Sequence, residues 1–128
     1  MGLFSVGCLI TNQQERSRSV RIPKIMVDTG SELTWIGQKT LEKIGIEPEK
    51  KDMKFKMANG EVITRSIGFA IIQVGKEITT DEVVFAQKGD LLLLGARTLE
   101  GLNMKVDPRK KKLVASGPFI AAGNITFG

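Results

Sequence analysis

An apolar run, Ile25-Met26-Val27, leads directly into Asp28-Thr29-Gly30-Ser31: an acid, a hydroxyl, a glycine and a second hydroxyl. An acid at the end of a buried strand is partly withdrawn from water, and hydroxyls and backbone N–H groups close by stabilise its ionised form. The glycine two residues on lets backbone approach the carboxylate closely. A carboxylate placed this way can take a proton from a bound water or, protonated, polarise a carbonyl. Average composition yields a chance Asp-Thr-Gly in about 2–3% of chains of this length, so the tripeptide alone does not separate an active site from an ordinary turn. What the chain lacks narrows the chemistry. It has no histidine and one cysteine, Cys8, which removes Ser-His and Cys-His nucleophile pairs, histidine metal sites and thiolate zinc sites. Catalysis must rest on carboxylates, lysines, hydroxyls or backbone groups, with no metal and no cofactor.

The elements that must position Asp28 are mostly strands. A chain of 128 residues, 41% hydrophobic and 26% charged, suits one folded domain over 1–128 that needs no disulfide. Short β-branched and apolar runs separated by Gly, Asn, Pro and Lys predict strands at Phe4–Thr11, Ser19–Val27, Met53–Ala58, Glu61–Val74, Glu77–Ala86, Asp90–Leu94, Met104–Asp107 and Lys112–Ala115, with a last short one at Asn124–Phe127. Both faces of the segment Ile67–Val74 are apolar, which predicts a strand covered on both sides. Asn59-Gly60 predicts a two-residue hairpin turn with both residues at positive φ, and Val74-Gly75-Lys76-Glu77 a second hairpin. Two short helices are predicted, Gln38–Ile44 and Ala96–Gly101. The face carrying Arg97-Thr98-Leu99-Glu100 reads as exposed, Trp35 and the phenylalanines as core, and residues 117–128 as an extended C-terminal arm.

In these ordered pieces the sequence resembles the retropepsin-like aspartic proteases. Asp28-Thr29-Gly30-Ser31 follows an N-terminal strand region, and the hairpin around Met57-Ala58-Asn59-Gly60 stands where that family carries the flap that closes over substrate. Leu92-Leu93-Leu94-Gly95, leading into the helix at Ala96, is similar to its second landmark. Asp28-Thr29-Gly30-Ser31-Glu32-Leu33-Thr34-Trp35 is also similar to the corresponding stretch of pepsin-type enzymes. The resemblance implies a mainly β, closed acid-protease barrel. It also implies a catalytic Asp28, a Thr29 hydroxyl reaching across a dimer and a Gly30 N–H supporting the carboxylates. Ser31 is placed to donate toward the ionised carboxylate. The chain departs from the retroviral pattern where Ala96 precedes Arg97, which puts that arginine's usual ion pair in question, and in a flap with fewer glycines.

One Asp-Thr-Gly per chain implies that the second aspartate of such a site comes from a second subunit, so the expected enzyme is a homodimer cutting polypeptide. A non-catalytic dimerisation or peptide-binding module of the same fold is the alternative. The net charge of +5 draws partly on Arg109-Lys110-Lys111-Lys112, but Asp107-Pro108 before it is turn chemistry. Nucleic acid is therefore not the expected partner, and the few aromatics are too scattered for a base-stacking face. No run of about 18 apolar residues predicts a membrane span. The N-terminus lacks the pattern of a signal peptide or myristoyl anchor, with Val6 where the latter wants Ser or Thr. A lone cysteine fits a reducing, cytoplasmic setting.

Overall fold

Most strand predictions rest on β-branched runs broken by turn residues, and the structure, a computed structural model describing residues 4–121, places strands there. In chain order the elements are β1 (Ser5–Thr11), β2 (Ser19–Val27), β3 (Thr34–Gly37), α1 (Gln38–Lys43), β4 (Lys50–Lys56) and β5 (Val62–Val74). β6 (Glu77–Ala86), β7 (Leu93–Leu94), α2 (Ala96–Gly101), β8 (Met104–Asp107) and β9 (Lys112–Ala115) complete them. The fold is mainly β. Seven strands hydrogen-bond in the order β1-β2-β7-β3-β6-β5-β4, and β1 pairs with β5 as well; β8 and β9 form a separate hairpin. Two pairings are parallel, β2 with β7 and β3 with β6.

The packing follows the apolar pattern. One core cluster is built around Ile10, Ile25, Ile36, Leu41, Ile72 and Leu94. A second contains Leu33, Trp35, Ile67, Val84 and Leu93, with Phe55 half-buried against it. Phe55 meets Trp35 edge-on at 5.1 Å between ring centroids, worth about 0.5–1.5 kcal/mol beyond the burial itself. From Ile67 to Val74, β5 is covered on both faces apart from the half-buried Phe69 and Gln73. Cys8 is 1% exposed, and burial pushes its thiol up to about 11 against the opposing pull of Arg21. It behaves as a small apolar residue rather than a reactive thiol.

Several sequence expectations need correction. β3 was not anticipated: four residues are too few for a periodic signal, and the strand exists because Thr34–Gly37 pairs in parallel with Val83–Ala86. The strand expected at Asp90–Leu94 shrinks to Leu93–Leu94, because Gln87–Asp90 closes a turn. The hairpin tip is also longer than two residues. Met57 N–H donates to the Glu61 carbonyl (2.8 Å) and Gly60 N–H to the Met57 carbonyl (2.9 Å), so Ala58-Asn59-Gly60 forms a three-residue loop. Only Gly60 takes a positive φ, 87°; Asn59 instead accepts a hydrogen bond from Glu61 N–H on its side chain (2.9 Å).

Arg109, Lys110 and Lys111 are exposed in the β8–β9 turn, where Asp107 accepts the N–H groups of Arg109 and Lys110. Residues 116–121 have no regular structure, though Asn103 ties the start of this segment through Ser116 and Gly117. The strand expected at Asn124–Phe127 lies outside the described residues. No helix among the described residues is long and apolar enough to cross a membrane.

Candidate active site

Parallel pairing of β2 with β7, Val27 opposite Leu94, is continued one residue further by Asp28, whose N–H donates to the Leu94 carbonyl (3.0 Å). The aspartate backbone is thereby fixed to a strand packed in the main core. The chain then turns back on itself. Ser31 N–H donates to the Asp28 carbonyl (3.2 Å), and Gly30 N–H donates to Asp28 Oδ1 (2.9 Å). One carboxylate oxygen is held by backbone; Oδ2 has no hydrogen-bond partner among the described residues. Asp28 is half-buried and lines a cleft of about 610 Å³. Trp35, Phe55, Leu91 and Leu93 give that cleft its apolar surface.

The turn is seated on α2. Ala96 N–H donates to the Ser31 carbonyl (2.8 Å) and Arg97 N–H to the Glu32 carbonyl (3.0 Å), so the first two N–H groups of the helix are satisfied by the segment after Asp28. Gly95 makes this approach possible. A Cβ there would stand 2.3 Å from the Leu33 carbonyl oxygen and 2.9 Å from that of Ser31, both backbone atoms with little room to move. Gly95→Ala should therefore destabilise the protein by roughly 1–3 kcal/mol, at the upper end of that range. Thermal unfolding should show a midpoint about 10 °C lower; an unchanged midpoint would remove the close-approach argument.

Beneath the turn runs a buried chain of hydroxyls. Gly95 N–H donates to Thr34 Oγ1 (3.0 Å), and Thr34 and Thr98 share a hydroxyl–hydroxyl bond. Thr98 donates to Asp81 Oδ2 (3.0 Å), so Thr34 is the donor to Thr98. Asp81 also accepts Glu82 N–H through Oδ1 (2.7 Å). The chain links β3, α2 and β6. Thr34 and Thr98 are both fully buried, which corrects the reading of residues 97–100 as an exposed helix face. Thr98 and Leu99 point into the fold, and Arg97 and Glu100 remain exposed.

The predicted site residues do not all converge. Asp28, Gly30, Ser31, Met57 and Ala58 line the cleft; Thr29, Asn59 and Gly60 do not. The Ser31 hydroxyl donates to the Leu33 carbonyl (2.9 Å) and not to Asp28. Thr29 is exposed. Arg97 does form an ion pair, with Glu82 (2.7 Å), and Lys50 holds the other oxygen of the same carboxylate. A second ion pair was not anticipated: Arg65 binds Asp90 at 2.7 and 2.9 Å. The Arg65 guanidinium holds the Asp90 carboxyl below its ordinary range, against burial that pushes it up.

Residues 20–101 match the family described as gag-polyprotein putative aspartyl protease, and that match spans more than half the chain. The chain belongs to this retropepsin-like aspartic protease family. No curated protein matches it. Within the retropepsin-like match lie the Asp28 turn, the Met57–Gly60 loop and Gly95 with α2; the β8–β9 hairpin falls beyond it.

Proposed function

We propose that the chain is one subunit of a homodimeric aspartic endopeptidase in which two Asp28 carboxylates, one from each copy, activate a water for peptide-bond hydrolysis. The observation that carries this reading is the Asp28 carboxylate itself, pinned by Gly30 N–H through one oxygen while lining a cleft that also presents Trp35, Phe55, Leu91 and Leu93. Membership of an aspartyl protease family supports it. Two carboxylates brought together by a two-fold axis hold one proton between them. The ionised member takes a proton from the water as it attacks the scissile carbonyl, and the protonated member donates toward the carbonyl oxygen. Proton positions then exchange as the amine leaves. Gly30 N–H keeps each carboxylate oriented, and Thr29, exposed beside it, is free to meet the partner subunit.

The hairpin tip Met57-Ala58-Asn59-Gly60 serves as a flap over bound polypeptide; Met57 and Ala58, which line the cleft, are the part that touches substrate. β1, paired on one side with β2 and on the other with β5, supports a closed barrel. The chain acts as one domain, the arm expected at 117–128 lies mostly outside the described residues, and its buried lone cysteine suits the cytoplasm. The test is incubation of the purified chain with an unfolded protein at pH 4 to 7. Fragments that vanish when pepstatin is added are the expected result, and a protein left intact across that range would sink the proposal.

A further inference from the structure

We infer that the Arg65–Asp90 ion pair fixes one wall of the cleft and thereby sets how large an apolar side chain the site accepts beside the scissile bond, an inference that rests on the peptidase reading above. Arg65 lies on β5 opposite Met53 of β4, at the base of the hairpin whose tip is Met57–Gly60. Asp90 closes the turn that began at Gln87: its N–H donates to the Gln87 carbonyl (2.9 Å), and its Oδ2 accepts Gln87 N–H (2.8 Å). The same oxygen accepts Arg65 Nε (2.7 Å), while Oδ1 accepts Nη2 (2.9 Å). Arg65 Nη1 donates to the Thr64 carbonyl (2.8 Å). Both ends of the pair are thus tied to backbone, and the two-point contact fixes orientation as well as distance.

What the pair holds is part of the cleft. Gly89, Asp90 and Leu91 line it together with Asp28. Leu91 is 66% exposed, so burial does little to keep it in place, whereas the Arg65 and Asp90 side chains are only 15% and 10% exposed. An ion pair this sheltered is weakly screened by salt. The tethered turn also runs straight into β7, whose Leu94 carbonyl receives Asp28 N–H. Arg65 and Asp90 are positioning residues, acting through Leu91 and the turn.

The test compares wild type with Asp90→Asn and Arg65→Lys, the latter keeping the charge and losing the two-point fork. Two peptides differing only in Phe or Ala before the scissile bond serve as substrates. The preference for Phe should fall by about tenfold in both variants, through KM, with kcat changed by less than about threefold. Trp35, the one tryptophan of the chain, lines the same cleft and gives a readout independent of cleavage. Its acrylamide quenching should rise by about twofold in both variants as the wall opens. Unchanged quenching would overturn the tether. Raised quenching with an unchanged Phe preference would overturn the role in specificity, as would a wild-type-like Arg65→Lys the need for the fork. If the wild type cleaves neither peptide and also leaves an unfolded protein intact, the peptidase reading falls, and quenching alone decides whether the pair holds the wall.

Discussion

Asp28→Asn should lower peptide cleavage by at least about 10³-fold while leaving the protein folded. The amide has nearly the shape of the carboxylate, and its Oδ1 can still accept the Gly30 N–H that holds Asp28 in place. Backbone contacts of the residue, from its N–H to Leu94 and from Ser31 N–H to its carbonyl, do not involve the side chain at all. What the amide cannot do is take a proton from water or carry the proton shared by the proposed pair. Thermal unfolding within about 2 °C of wild type is therefore expected beside the loss of turnover. Turnover at the wild-type rate would exclude Asp28 as the catalytic acid. A large drop in melting temperature would make it a structural residue of the β2–β7 junction.

That the aspartate was legible in the sequence and its supports were not follows from how far apart their partners lie. Asp28, Gly30 and the strand before them are contiguous, so an apolar run ending in Asp-Thr-Gly already describes the local geometry. Thr34 and Thr98 are separated by 64 residues, and each alone reads as an ordinary polar residue among apolar neighbours. A polar residue inside Leu33-Thr34-Trp35-Ile36, where no alternation explains it, was the available signal for a buried hydroxyl. Arg65 and Asp90 gave less: in sequence, a charge that pairs across 25 residues looks the same as one that faces water.

Ser31 marks a different limit. Its position predicts a hydroxyl that donates toward the carboxylate, but one hydrogen and several acceptors leave the direction open, and the Leu33 carbonyl takes it. The hairpin tip shows the same limit in the backbone. Asn-Gly marks a turn correctly, yet whether Asn59 enters the left-handed region depends on strand register. Here the Met57–Glu61 pairing puts Gly60 alone there.

Dilution should cost activity more than proportionally. The chain has five aspartates, and four are engaged or misplaced for a second catalytic carboxylate. Asp81 receives Thr98 and Glu82 N–H, Asp90 is bound to Arg65, and Asp107 caps the β8–β9 turn. Asp52 sits exposed on β4 at a φ of 55°. The proposed mechanism then takes its second carboxylate, equivalent to Asp28, from a second copy. Below the dimer dissociation constant, the active fraction per chain is proportional to concentration, so each tenfold dilution should lower specific activity about tenfold. Mixing subunits tests the same point without dilution. Equal amounts of wild-type and Asp28→Asn chains, exchanged to equilibrium, should leave about one quarter of the dimers with two aspartates, and about half the activity of the wild-type chains. A truncation ending at Ser116, compared by sedimentation, asks whether residues 117–128 hold the subunits together. Full activity from the mixture, with the wild type monomeric by sedimentation at concentrations where it cleaves at full rate, would show that one Asp28 suffices, and the shared two-aspartate site would be wrong.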